Sequence, residues 1–124
     1  MIAGHYATAV VAKQQAPAGH IVYYLAASQL PDLAWLGLAS VGLDSIHSHA
    51  GPVSPEMMIS HDLLPTAGWI GLGVIAGRAL FGSWRTGLIG GLLVAVHILA
   101  DLLAGYPHNV LGPDSAEVGT GLYF

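Results

Sequence analysis

A histidine and an aspartate lie one helical turn apart in an otherwise apolar stretch of this chain. His97 and Asp101 belong to residues 86–106, TGLIGGLLVAVHILADLLAGY. Side chains four residues apart share one face of a helix, so this pair points at one spot. Asp32 is a similar case, because it is the only charged residue in the apolar residues 21–43. Ionisable groups are costly in helices apolar enough for a membrane, so these residues indicate buried polar chemistry, and we expect a metal site.

The same residues also have structural explanations. His97 and Asp101 could simply bond to each other across the turn, and Asp32 could accept helical amides beside Pro31. An aspartate at the centre of a membrane helix costs roughly 2.5–3.5 kcal/mol, however. A divalent cation compensates several carboxylates at once, which a single hydrogen bond does not. This difference favours the metal site.

The composition favours a membrane protein and limits the chemistry of any metal site. Of the 124 residues, 54% are hydrophobic and only 8% are charged, whereas a soluble domain has about 25% charged residues. Three Lys and Arg residues are too few for nucleic-acid binding, and the lipid bilayer is the expected partner. The absence of cysteine excludes thiolate ligands, so the ligands must be imidazole and carboxylate groups. Such ligands suit a divalent metal ion such as iron, manganese or, as we expect first, zinc.

The apolar segments predict an all-α fold, a small multi-span transmembrane bundle of about four helices in one domain over residues 1–124. The four segments are residues 2–16, 21–43, 63–84 and 86–106. The first is too short to cross a membrane, since a crossing needs about 20 residues. Pro31 should kink the second helix beside Asp32, which could free a backbone carbonyl group or redirect a side chain. Residues 44–61 are expected to form a polar loop.

Glycines spaced by four residues occur on both later helices. Gly73 and Gly77 lie on one helix and Gly87 and Gly91 on the other, a spacing that lets helix backbones approach closely in lipid. The tail, residues 107–124, is polar and rich in glycine. It ends abruptly at Leu-Tyr-Phe, as expected for a truncated C-terminus with a further helix beyond it.

The basic residues predict the orientation of the bundle. Lys13, Arg78 and Arg85 fall on one side, which the positive-inside rule makes cytoplasmic. The candidate ligands then converge at one depth near the opposite side. These predicted metal ligands are His5, Asp32, His61, His97 and Asp101. Asp62 is expected to act as a general base or to support a ligand.

Several of these residues allow other interpretations. His5 could be an interfacial histidine, and Ser60 or Asp62 could cap the helix that follows. Three more histidines lie in polar loops, where solvated histidine is usual, although they could close a second metal position or touch a substrate: His47, His49 and His108. His20 falls on the Lys13 side and is expected to be unrelated to the site.

The series of motifs resembles the membrane-bound metal-dependent hydrolase-like family. The motifs are Gly4-His5, Leu30-Pro31-Asp32, Ser60-His61-Asp62, and His97-x3-Asp101 followed by Pro107-His108. Members of that family are small multi-span bacterial proteins, described as inner-membrane-associated hydrolases. The order of motifs is also similar to zinc-dependent phospholipase C and the P1/S1-type nucleases, in which such residues bind a metal cluster. The resemblance implies a metal-binding protein of the bacterial inner membrane.

Three functions follow from these observations. The first is a metal-dependent hydrolase of a lipid phospho- or acyl ester, in which the metal activates a water molecule. No Gly-x-Ser-x-Gly nucleophile motif is present, and this mechanism needs none. The second is a non-catalytic accessory subunit of a larger membrane complex, with the polar residues in a structural network. The third is ion or proton passage. It is the least favoured, because the ionisable groups cluster at one depth and do not run along the bundle.

Overall fold

The computed structural model describes residues 2–47, 54–106, 108–112 and 114–119, and these residues are mostly helical. In chain order, the elements are α1 (Ile2–Gln15), α2 (Ile21–Ser28), α3 (Leu30–Ser40), β1 (Ser45–His47), β2 (Ser54–Glu56), α4 (Met58–His61), α5 (Leu63–Phe81), α6 (Trp84–Ala104), β3 (His108–Asn109) and β4 (Glu117–Val118). The predicted all-α class is confirmed. The described part of the chain has six helices, however, rather than about four.

The second predicted helix is in fact two helices. α2 ends at Ser28 and α3 begins at Leu30, and between them Gln29 leaves the helical conformation with φ −117° and ψ 10°. Pro31 lies in the first turn of α3, where its missing N–H group costs nothing and its fixed φ favours helix initiation. The prediction of one kinked helix over residues 21–43 was therefore wrong, because the proline starts a new helix.

Residues 45–47, 54–56 and 58–61 form regular structure in place of the predicted polar loop. β1 and β2 form an antiparallel pair in which Ser45 faces Glu56 and His47 faces Ser54. The short helix α4 follows and ends at His61, directly before α5. A second small antiparallel pair, β3 with β4, orders part of the tail. The loop prediction therefore missed a hairpin and the helix that carries one candidate ligand.

Glycines allow α5 and α6 to pack in close contact. A Cβ atom added to Gly77 would lie 2.7 Å from Gly87 Cα, and one added to Gly73 would lie 3.3 Å from the backbone of Gly91. The predicted close approach of these glycines is confirmed. Because Gly77 faces Gly87 while Gly73 faces Gly91, the two helices are antiparallel. The start of α5 and the end of α6 therefore lie at the same end of the molecule.

Two helices in the described residues, α5 and α6, are long and apolar enough to cross a membrane. α6 is the more enclosed of the two, and α5 leaves most of its surface uncovered. Their exposed side chains are largely aliphatic: Leu64, Leu72, Ile75 and Leu80 on α5, and Leu88, Leu92, Leu99 and Leu103 on α6.

Small side chains let α1 pack against α2 and α6. The buried core contains Ala9, Ala12 and Ala16 of α1 and the turn after it, together with Tyr24, Ala27 and Leu93. The Tyr24 hydroxyl group donates a 2.7 Å hydrogen bond to the Ala16 carbonyl oxygen, which ties α2 to the end of α1. This packing carries His5 on α1 towards α6.

Candidate metal centre

His97 lies at the centre of the candidate site and is almost completely buried, with 1% of its surface exposed. Its Nδ1 atom is 2.8 Å from the carbonyl oxygen of Ser28, at the break between α2 and α3. A carbonyl oxygen only accepts, so Nδ1 carries the hydrogen and a neutral His97 has its lone pair on Nε2. This carbonyl group orients the His97 ring.

Two aspartates and two further histidines lie near the Nε2 atom of His97. Asp101 places Oδ2 3.3 Å from His97 Nε2 and Oδ1 3.3 Å from His5 Nε2. Asp32 Oδ1 lies 3.7 Å from His97 Nε2 and 3.4 Å from His61 Nε2. The five predicted ligands, which come from α1, α3, α4 and α6, therefore meet in one cluster.

The donor atoms of this cluster fit a metal ion. Two overlapping trios have ligand atoms within 4.8 Å of one another: His5, His97 and Asp101, and Asp32, His61 and His97. Ligands bound tetrahedrally to zinc at about 2.0–2.1 Å are themselves about 3.3–3.4 Å apart. The four distances of 3.3–3.7 Å between the aspartate oxygens and the imidazole nitrogens are close to this value.

The surroundings of the His97 Nε2 atom favour a bound proton or metal ion. It is buried and forms no hydrogen bond with any of the described residues, although two carboxylates lie nearby. A nitrogen lone pair and two carboxylates repel one another unless a proton or a metal ion lies between them. The atom is thus a buried polar group whose satisfaction requires a positive charge.

Neighbouring contacts fix the orientation of the other two rings. The ring of His5 stacks on that of His97, with centroids 4.0 Å apart and planes 22° apart. His61 Nδ1 lies 2.9 Å from Ser60 Oγ, which leaves Nε2 directed at Asp32. Contacts of this kind hold the rings of metal-binding histidines in place.

Asp44 is a buried carboxylate next to α4 that sequence reasoning did not connect with the site. Its Oδ1 accepts a 3.0 Å hydrogen bond from the Ile59 N–H group, and its Oδ2 accepts one of 3.1 Å from Ser60. Trp69 Nε1 also donates a 2.9 Å hydrogen bond to the Ile59 carbonyl oxygen of α4. No local sequence pattern marks these contacts, because the partners are ten or more residues apart.

Asp62, the predicted general base, contacts the tail. Its Oδ2 accepts a 2.5 Å hydrogen bond from the Gly112 N–H group, and the adjacent Leu64 N–H group donates to the Val110 carbonyl oxygen at 3.0 Å. Asp62 occupies the N-cap position of α5, but its side chain makes no capping hydrogen bond there. The capping interpretation was therefore wrong, and a role as general base stays a prediction.

His108 is brought beside the cluster by the tail. Its ring stacks against His61, with centroids 5.7 Å apart and planes 15° apart. It is buried, and its Nε2 atom has no hydrogen-bond partner among the described residues. Burial, aided by the neighbouring His61, lowers the pKa of His108 to about 4, so the ring is neutral at pH 7. The expectation of a solvated loop histidine was wrong here.

The remaining histidines fall elsewhere. His20 is exposed and caps α2, accepting a 3.2 Å hydrogen bond from the Val22 N–H group at Nδ1. The backbone of His47 belongs to β1, and His49 lies outside the described residues.

Comparison of the chain with family models, with curated proteins and with solved structures gives no match. The arguments for function below start from the His/Asp cluster and the two apolar helices.

Proposed function

We propose that this chain is a metal-dependent hydrolase of the membrane, acting on a phospho- or acyl ester of a lipid. The proposal follows the membrane-bound metal-dependent hydrolase-like family that the motifs resemble. The observation that carries it is the buried Nε2 atom of His97, which faces two carboxylates and has no hydrogen bond in the described structure.

Five side chains would hold the metal ion: His5, Asp32, His61, His97 and Asp101. Two carboxylates carry a charge of −2, which one divalent cation neutralises, and this matters most for Asp101, whose side chain is more deeply buried than that of Asp32. Imidazole nitrogen and carboxylate oxygen suit zinc better than calcium or magnesium, which prefer oxygen ligands alone. When bound, such an ion supplies a Lewis acid that polarises an ester and favours deprotonation of water.

The accessible side of the cluster is at Asp32. Its side chain is 39% exposed, compared with 12% for Asp101 and 1% for His97. A substrate or a water molecule therefore approaches from the Asp32 side, while the His97 side stays closed. On this side Asp32 can accept a hydrogen bond from an incoming water molecule, whether or not Asp62 also contributes.

The position of the cluster along the helices supports a lipid substrate. His61 directly precedes α5, and Asp101 lies in the last turn of α6, so both are at one end of the antiparallel pair. If α5 and α6 cross the membrane, this end lies at a membrane boundary, where ester groups of lipids are found. We place the boundary on the non-cytoplasmic side of the bacterial inner membrane, because Lys13, Arg78 and Arg85 lie towards the other end.

We further propose that α2 and α3 together make another crossing of a multi-span bundle. Exposed aliphatic residues continue along this pair, with Val22 on α2 and Leu33 and Leu36 on α3. At the break at Gln29, the Ser28 carbonyl group faces the protein interior and accepts a hydrogen bond from His97. Irregular backbone inside a membrane is tolerated when protein groups satisfy it in this way.

Elemental analysis of the protein purified in detergent tests the metal centre. We expect about one equivalent or more of a transition metal per chain, with zinc bound on reconstitution. Asp101→Asn and His97→Gln should lose the metal, while Asp114→Asn, which removes the same charge at an exposed position, should keep it. A metal-free chain that takes up no added zinc, and is equally stable with and without chelator, would contradict the proposal.

Hydrolysis should then be assayed on phospholipid vesicles with the zinc-loaded protein. Release of a phosphorylated headgroup identifies a phosphoester substrate, and release of a fatty acid identifies an acyl ester. A zinc-loaded protein that releases neither and purifies with a constant partner would favour the accessory-subunit hypothesis.

A further inference from the structure

The helix that carries His61 is too short to be stable alone. α4 has only four residues, Met58–His61, and isolated helices shorter than about 12 residues are marginal in water. It must therefore be held by contacts with the rest of the chain. These contacts also determine where the His61 ring lies.

We infer that Asp44 is a positioning residue of the metal centre, which holds α4 so that His61 reaches Asp32 and His97. This inference rests on the metal site of the proposed function. Asp44 is 2% exposed, and each oxygen of its carboxylate accepts one backbone N–H group of α4, from Ile59 and Ser60.

The contact joins the two parts of the chain that carry Asp32 and His61. Asp32 lies on α3, which ends at Ser40, and Asp44 follows four residues later. The β1–β2 hairpin separates Asp44 from α4 in sequence. By accepting two N–H groups of α4, the Asp44 carboxylate closes the connection between α3 and α4 and holds the start of α4 close to the end of α3. The 3.4 Å distance from Asp32 Oδ1 to His61 Nε2 depends on that closure.

A second link runs from Asp44 to the ring itself. Asp44 binds the N–H group of Ser60, and Ser60 Oγ lies 2.9 Å from His61 Nδ1. Fixing Ser60 thus fixes the group that orients the imidazole ring and directs Nε2 to the cluster. Residues in such supporting positions typically affect metal affinity by about 10–100-fold.

Asparagine is an informative replacement for Asp44. An asparagine side chain has the same shape but only one acceptor oxygen, and its NH₂ group would face a backbone N–H group. One of the two N–H groups of α4 would then be buried without an acceptor, which is unfavourable. The start of α4 should move, and His61 with it.

A double-mutant cycle in the zinc-binding protein tests the inference. Zinc affinity is measured by chelator competition for Asp44→Asn alone, and for Asp44→Asn combined with His61→Ala or with His5→Ala. We expect Asp44→Asn to weaken zinc binding about tenfold or more in the unaltered chain and in the His5→Ala background. In the His61→Ala background it should weaken binding by less than about twofold, since Asp44 acts through His61.

The matched control is Asp114→Asn, which removes an exposed aspartate and should leave zinc affinity unchanged. Equal losses for Asp44→Asn in the His61→Ala and His5→Ala backgrounds, or no loss at all, would overturn the inference. Absence of zinc binding by the unaltered chain would overturn the proposed function and this inference together.

Trp69→Phe provides a second variant in case Asp44→Asn does not fold. It removes the indole hydrogen bond to the Ile59 carbonyl oxygen together with part of the ring. We expect a smaller loss of zinc affinity that again disappears in the His61→Ala background. Trp84→Phe, at an exposed tryptophan on α6, is its control and should have no effect. A loss that persists without His61 would contradict positioning through α4.

Discussion

The hydroxyl group of Tyr23 on α2 donates a 2.6 Å hydrogen bond to the carbonyl oxygen of Gly73 on α5. The Tyr23 side chain also occupies the space that a Cβ atom at Gly90 would need. α2 therefore packs against the glycine-lined contact between α5 and α6. This packing brings Ser28, at the end of α2, to His97 on α6. The packing of glycines and the geometry of the candidate metal centre are thus parts of one arrangement.

We predict that Gly87→Ala destabilises the protein. The added methyl group would meet the carbonyl oxygen of Val74 on α5, a backbone atom that cannot turn away. The helices must separate, and overpacking of this kind lowers the free energy of unfolding by about 1–3 kcal/mol. Unfolding in mixed detergent micelles, followed by near-ultraviolet circular dichroism, measures the change.

Gly68→Ala is the control for this substitution. Gly68 also lies within α5, but a Cβ atom there would meet nothing within 4 Å. It should leave stability unchanged or raise it by up to about 1 kcal/mol, since alanine favours the helix. Equal destabilisation by Gly68→Ala and Gly87→Ala would contradict close packing at Gly87.

We predict that Pro31→Ala weakens metal binding. Alanine restores the N–H group that proline lacks, so α2 and α3 can join into one continuous helix. The Ser28 carbonyl group would then take a helical N–H partner, and His97 Nδ1 would lose its acceptor. We expect zinc affinity to fall about tenfold, measured by chelator competition. Pro65→Ala, in the first turn of α5, should leave affinity unchanged; a similar loss there would contradict the role of the break.

Zinc binding should also weaken as the pH falls. The imidazole ligands must be neutral to bind the ion, so protons compete with it as the pH falls. Zinc affinity is therefore expected to decrease at each step as the pH is lowered. Chelator competition at several pH values measures the slope. No zinc binding at any of these pH values would contradict the metal centre.

The sequence was sufficient to predict the helical class and the five clustered residues. His97 and Asp101 lie four residues apart, so any helix places them on one face, and the apolar segments predict the helices. The positions of Asp32 and His61 relative to them followed from the expectation that the apolar segments run antiparallel and have similar lengths. These predictions therefore depended only on the local spacing of residues and on the lengths of the apolar segments.

The break at Gln29 and the roles of Asp44 and His108 could not be predicted in the same way. Pro31 is compatible with a kink or with a new helix, and contacts between helices decide which one forms. Asp44 contacts residues 15 and 16 positions away, and Asp62 contacts one 50 positions away. Such contacts leave no periodic pattern in the sequence. The burial of His108 beside His61 was not predicted for the same reason, although the residue itself was named as a possible ligand or substrate contact.

We predict that Asp62 has its main effect through the tail, and a pair of substitutions separates this from proton transfer. Asp62→Ala removes the acceptor for the Gly112 N–H group, so amide hydrogen exchange of residues 108–119 should become about 10–100-fold faster. Asp62→Asn keeps one acceptor oxygen and should retain most of the protection, because a neutral amide oxygen still bonds an N–H group. A general base, in contrast, loses its function in both variants, because neither side chain can take up a proton. Normal exchange together with lost hydrolysis in Asp62→Asn would therefore identify Asp62 as the base. Glu117→Gln, at an exposed position of β4, controls for the change of charge in the tail.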